Sequence, residues 1–101
     1  MRESELEARL VRGVRALGGV AYKFVSPGNV GVPDRLVVLP GGLIRFVELK
    51  TDTGRLGPMQ GRQLRRLEDL GAWTGVLRGE GGVADFLLQC RRELETGGGA
   101  G

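Results

Sequence analysis

Histidine is absent from the 101-residue chain, and with it go the Ser-His-Asp and Cys-His nucleophile systems, imidazole general bases and imidazole-bound zinc. A single cysteine, Cys90, can form neither an internal disulfide nor a Cys-rich metal cage, so a reducing, cytoplasmic setting is expected. Aromatic residues make up only 5% of the chain, which leaves aliphatic side chains to fill the core. No stretch approaches the roughly 18 apolar residues of a membrane span, and the opening MRESELEARL lacks the apolar region of a signal peptide. Lysine occurs only at Lys23 and Lys50, against 13 arginines. An ammonium group can have its pKa tuned while a guanidinium cannot, so the two lysines stand out as candidates for specific work, although a GC-rich coding bias accounts equally well for the arginine excess.

What is present is the balance of one small globular domain: 41% hydrophobic, 27% charged, formal net charge +3. The pI near 9.8 biases the chain mildly toward polyanionic partners. Ser4 and Glu7 have the spacing of a capping box, ahead of apolar residues Leu6, Leu10, Val14 and Leu17 at helical intervals, and Gly18-Gly19 ends that helix. Val20–Val25 reads as a strand, followed by a Pro- and Gly-rich loop that runs into Asp34. Arg35–Leu39 and Leu43–Lys50 read as strands joined by the tight turn Pro40-Gly41-Gly42. A second helix is expected from Pro58 to about Leu70, with Gln60, Leu64 and Leu67 facing inward. A strand over Ala72–Leu77, a turn over Arg78–Gly82 and a helix from Val83 to about Leu94 complete the order α-β-β-β-α-β-α. This is an α/β architecture, a mixed sheet of about four strands flanked by helices. A single domain is expected over 1–96, with the glycine-rich 97–101 as a disordered tail. Trp73 and Tyr22 are expected in the core.

Alternation along a strand puts Ile44, Phe46, Glu48 and Lys50 on one face, with Glu48 and Lys50 about 6.5 Å apart along the chain. The tight hairpin then brings Asp34 beside them. Two carboxylates and an ammonium at a sheet end can hold a hard cation such as Mg²⁺ or Mn²⁺, with Lys50 orienting a water; the alternative is a surface salt bridge.

Gly31-Val32-Pro33-Asp34-Arg35, with thirteen residues between Asp34 and Glu48, followed by Glu48-Leu49-Lys50, resembles the PD-(D/E)xK nuclease signature. More narrowly, the ordered set is similar to the VRR-NUC (virus-type replication-repair nuclease) family. It includes Gly18-Gly19, Lys23 to Gly28, Pro40-Gly41-Gly42, the Thr51-to-Pro58 loop, Gln60, Leu67 and Gly71, and runs from about Glu3 to Leu87. The resemblance implies a restriction-endonuclease-like core and a Mg²⁺- or Mn²⁺-dependent DNA endonuclease. Asp34 and Glu48 would be metal ligands, the Leu49 carbonyl a third, and Lys50 the residue that positions the attacking water. Gln60 would abut the site. The family places a glutamate on the first helix near the metal, a role that Glu3, Glu5 or Glu7 could fill; Glu7, on the flank of the apolar stripe, is preferred. Lys23 and Ser26 match positions that flank the cleft and are expected to meet DNA phosphates; Arg55, Arg62, Arg65 and Arg66 cluster around the second helix, where they could track the backbone of a duplex, with a solvated helix face as the equal alternative. Gly57 and Gly61 depart from good helix formers and put the geometry around Gln60 in question. Small members of the family resemble Holliday junction resolvases, which implies a homodimer acting on branched DNA. A non-catalytic nucleic-acid-binding module is the rival reading, and a restriction-type specificity has no room for base-reading loops.

Overall fold

A computed structural model describes residues 1–97. The elements run α1 (Glu3–Ala16), β1 (Val20–Lys23), β2 (Arg35–Leu39), β3 (Leu43–Lys50), α2 (Pro58–Asp69), β4 (Trp73–Arg78) and α3 (Gly79–Glu95). The strands lie in the order β1-β2-β3-β4, antiparallel except for the parallel β3–β4 pair that α2 connects. This is the expected α/β sandwich with a mixed four-stranded sheet. Of the glycine-rich tail, 98–101 lies outside the described residues.

Helix α1 buries Leu6, Leu10 and Val14, one side chain per turn, against the sheet. It starts earlier than the sequence suggests. Arg2 is the N-cap, and its backbone N–H donates to Glu5 Oε1 at 3.2 Å, so the Ser4–Glu7 capping box does not form and Glu7 is free for another contact. Strand β1 ends at Lys23, two residues sooner than expected, although the Phe24 N–H still donates to the Asp34 carbonyl at 2.8 Å. The β2–β3 hairpin turns through Gly41 and Gly42, both at positive φ, where glycine alone has no steric cost. Helix α3 begins at Gly79 rather than Val83, so the expected turn over Arg78–Gly82 is absorbed into its first turn.

The pleat divides the sheet into two unlike faces. One carries Ala21, Val37, Leu39, Val47, Leu49 and Leu77, which pack with α1 and with Val83, Phe86 and Cys90 of α3 into a single buried cluster. Trp73 joins it, half-buried, its ring 5.5 Å from Phe86 and 5.4 Å from the Arg45 guanidinium. The thiol of Cys90 is buried there, and burial pushes its pKa up to about 11, so it is an unreactive packing group. The other face is covered only by α2, which packs on β4 through Leu64. Its β1–β2 half stays open. This is why Tyr22, expected in the core and paired with Leu36, is 58% exposed, and why Val20 and Ile44 on the same face are exposed too. The half-covered face is where Glu48 and Lys50 project.

Candidate active site

Register brings the site together. Arg35 pairs with Val47, so Asp34, one residue earlier, stands opposite Glu48 at the sheet end. Asp34 Oδ2 accepts the Leu49 backbone N–H at 2.8 Å, which fixes the carboxylate against the strand carrying Glu48. Pro33, fully buried, sets the backbone that enters β2.

Glu48 is 1% exposed, the single buried charged residue among those described. A surface salt bridge is therefore excluded. Its Oε2 accepts Gln60 Nε2 at 2.8 Å and lies 3.4 Å from Lys50 Nζ, while its Oε1 is buried without a hydrogen-bond partner. Burial, and next the negative charge of Asp34, push the Glu48 carboxyl from 4.5 up to about 7, against the opposing pull of Lys50. A buried oxygen with no donor beside a second carboxylate is an electrostatic deficit that a hard cation would fill. The oxygen donors of Asp34 and Glu48 fit Mg²⁺ or Mn²⁺ in kind.

Gln60 is held at both ends. Its Oε1 accepts the Gly57 N–H at 2.9 Å, which leaves Nε2 to donate to Glu48. Gly57 is thus the N-cap of α2 rather than a weak point inside it, and Pro58 follows in the first helical position, where its missing N–H costs nothing. The doubt raised by Gly57 is removed, while Gly61 does lie inside α2, its N–H donating to the Gly57 carbonyl at 3.1 Å; the Gly57 contact is one that sequence reasoning missed.

The remaining expected residues fall around this centre in different ways. Glu7 meets Arg35, its Oε2 3.9 Å from the guanidinium, on the α1 side of the sheet. Among the described residues no group of three or more Asp, Glu, His or Cys side chains is gathered closely enough to hold a metal, so Glu7 stands outside the Asp34–Glu48 pair. Lys23 is exposed and pairs with Arg35, which places it on the α1 side as well. The Ser26 hydroxyl accepts Asn29 Nδ2 at 2.8 Å and its carbonyl accepts the Asn29 N–H at 3.0 Å, so Ser26 closes a turn in the loop between β1 and β2. Arg62, Arg65 and Arg66 line one shallow cavity on the outer side of α2, with Arg55 exposed in the preceding loop. None of these four arginines forms an ion pair among the described residues, which leaves them free for an anion.

No model of a known protein family matches the sequence. A solved structure described as "VRR_NUC domain" superposes with a TM-score of 0.73 over 92% of this chain and 94% of its own, at 32% identity. The chain belongs to the VRR-NUC family. It is also similar to a protein of Acyrthosiphon pisum secondary endosymbiont phage 1 named "Putative nuclease p44", 55% identical over 77 residues that span 76% of this chain and 83% of the phage protein. This VRR-NUC chain has no helix, among the described residues, long and apolar enough to cross a membrane.

Proposed function

We propose that this VRR-NUC chain is a Mg²⁺- or Mn²⁺-dependent DNA endonuclease that hydrolyses phosphodiester bonds. The observation that carries the reading is the buried, partnerless Oε1 of Glu48 beside Asp34 and Lys50. A divalent cation held by Asp34, Glu48 and the Leu49 carbonyl would supply positive charge to a phosphate and acidify a water. The chain's own residues do the rest. Gln60 holds Glu48 Oε2 in place, Lys50 orients the attacking water, and Asp34, fastened to the Leu49 N–H, keeps the second carboxylate in register. A module that only bound nucleic acid would gain nothing from two carboxylates facing a polyanion, because their repulsion weakens binding unless a cation intervenes. Arg55 and Arg62, with Arg65 and Arg66, would track the DNA backbone. Lys23 and Ser26 would meet flanking phosphates rather than the reacting one, and Glu7, held against Arg35 on the α1 side, would take no part in binding the cation.

The deciding experiment is cleavage of labelled linear, flapped and four-way-junction DNA with Mg²⁺, Mn²⁺ or EDTA. Cutting that EDTA abolishes and Mg²⁺ or Mn²⁺ restores is expected, with the branched substrates preferred. Binding of junctions without cutting any substrate would instead favour the non-catalytic module.

A 10.8 kDa chain has little surface with which to grip a junction, so the reading extends to a homodimer that places two sites on one branched substrate. Size-exclusion chromatography with light scattering is expected to give about twice the chain mass, and a monomer both alone and with DNA would overturn this part. Replacing Arg62 by Ala is expected to weaken DNA binding uniformly across sequences and to lower the salt slope, d log K/d log[salt], by about one unit.

A further inference from the structure

One contact joins the two halves of the site without involving any side chain. Gly31, three residues before Asp34, has φ +89 and lies directly against the first turn of α2. A Cβ placed there would stand 2.6 Å from the Met59 carbonyl carbon, 2.7 Å from its oxygen and 2.9 Å from the Gln60 nitrogen. All three are helix backbone atoms, which cannot swing aside as a flexible side chain would. The same loop is tied to the same helix a second time, where Gln63 Nε2 donates to the Val30 carbonyl at 3.4 Å. On one side of this contact the chain runs through buried Pro33 to Asp34. On the other it runs through Gln60 to Glu48 Oε2.

We propose that Gly31 is a positioning residue: its missing side chain lets the segment that delivers Asp34 rest on the peptide that carries Gln60, and so sets how Glu48 faces Asp34. The inference rests on the nuclease reading for its activity arm only. Left-handed backbone alone would ask for glycine, so the two reasons must be separated. Gly28 supplies the control, because it has φ +82 in the same loop and nothing within 4 Å of its would-be Cβ. Gly28→Ala and Gly31→Ala share the conformational penalty, and only the second meets the helix.

The test measures Mn²⁺ affinity, from the electron paramagnetic resonance of free Mn²⁺, together with kcat and KM on the best-cut DNA. Gly28→Ala is expected to leave Mn²⁺ affinity and kcat within about twofold of wild type. Gly31→Ala is expected to weaken Mn²⁺ and lower kcat by at least about tenfold each, with KM for DNA within about threefold. If Gly31 acts through Gln60, the double variant Gly31→Ala/Gln60→Ala binds Mn²⁺ no more than about threefold more weakly than Gln60→Ala alone. Equal behaviour of the two glycine variants, or losses that multiply in the double variant, would overturn the proposal. Should Gly31→Ala fail to fold, Gln63→Ala severs the second tie without backbone strain. It is expected to weaken Mn²⁺ about threefold in the wild-type background and not at all beside Gln60→Ala, and additivity there overturns the proposal as well. A wild type that binds Mn²⁺ but cuts no nucleic acid defeats the nuclease reading while the Mn²⁺ comparison still decides Gly31. A wild type that binds no Mn²⁺ defeats both.

Discussion

Glu48→Gln is expected to abolish cleavage and, at pH 8 without metal, to make the protein more stable. The side chain is the buried charge at the centre of the site, with one oxygen on Gln60 and the other on nothing. Its carboxyl is raised from 4.5 to about 7, so between those values the folded state holds a proton that the unfolded chain has released. Stability of the metal-free protein therefore falls as pH climbs from about 4.5 to about 7, and stays low above that window. At about 1.4 kcal/mol per pKa unit the ionised carboxylate costs roughly 3 kcal/mol at pH 8. Glutamine is close in shape to the protonated acid and removes that cost. Its amide nitrogen would occupy the partnerless position, which returns part of the gain, so about 1 to 2 kcal/mol is expected, or on the order of 5 to 15 °C in Tm for a domain of this size. Below pH 4.5, where wild type is protonated and that cost is gone, only the amide's penalty remains, so Glu48→Gln should melt below wild type by about 1 to 2 kcal/mol.

The activity arm has the opposite sign. Cation stabilisation of a phosphoryl transition state is worth several kcal/mol, so loss of an anionic ligand is expected to lower kcat by about three orders of magnitude or more. Mg²⁺ should raise the Tm of wild type at pH 8, by an amount equivalent to about 2.7 kcal/mol at a hundredfold excess over its Kd, and should leave Glu48→Gln unmoved. Thermal melts at pH 4 and pH 8, with and without Mg²⁺, read all of this on two proteins. Equal stability at pH 8 would mean that the carboxylate is not strained by its burial, and retained cleavage would remove Glu48 from the site. With both outcomes as expected, Glu48 would be a stability–activity exchange, a destabilised group kept for the chemistry it serves.

How far such a site is legible beforehand depends on whether local chemistry or tertiary contact decides each residue. Strands β2 and β3 match the expectation residue for residue, because Pro40-Gly41-Gly42 punctuates them and alternation then assigns every side chain to a face. From that alone Asp34, Glu48 and Lys50 converge. The start of α3 is misplaced for a tertiary reason. Glycines at Gly79, Gly81 and Gly82 read as a turn, yet a Cβ on Gly82 would lie 3.1 Å from the Leu77 carbonyl carbon, so the helix settles directly on the end of β4. Tyr22 is misjudged because strand alternation reports a face but not whether a helix covers it. The burial of Glu48 is hidden for the same reason: a charged strand end reads as solvent-exposed until α2 is known to lie over it. Gln60 is legible as a position, while its orientation is not, since the Gly57 N–H that holds its oxygen belongs to a capping arrangement visible only in three dimensions.

Lys50→Met is expected to cost two to four orders of magnitude in kcat, the range in which a positioned proton-handling or water-orienting group contributes. Methionine keeps the length and apolar stem of the side chain, which is 16% exposed, so packing is little disturbed and the loss reports the ammonium. Arginine is not expected to rescue, because a planar guanidinium cannot occupy the compact position 3.4 Å from Glu48 Oε2 and does not release a proton. The substitution also acts on its neighbour. Lys50 is the cation that opposes the rise in the Glu48 carboxyl, so its removal leaves that carboxyl higher still, and the fall in metal-free stability, which still begins near pH 4.5, extends to more alkaline pH. Two measurements then separate the roles. If Lys50 only balanced charge, Lys50→Met would recover wild-type kcat at a pH high enough to ionise Glu48 fully; if it orients the attacking water, the kcat deficit persists at every pH, and that persistence is the expected result.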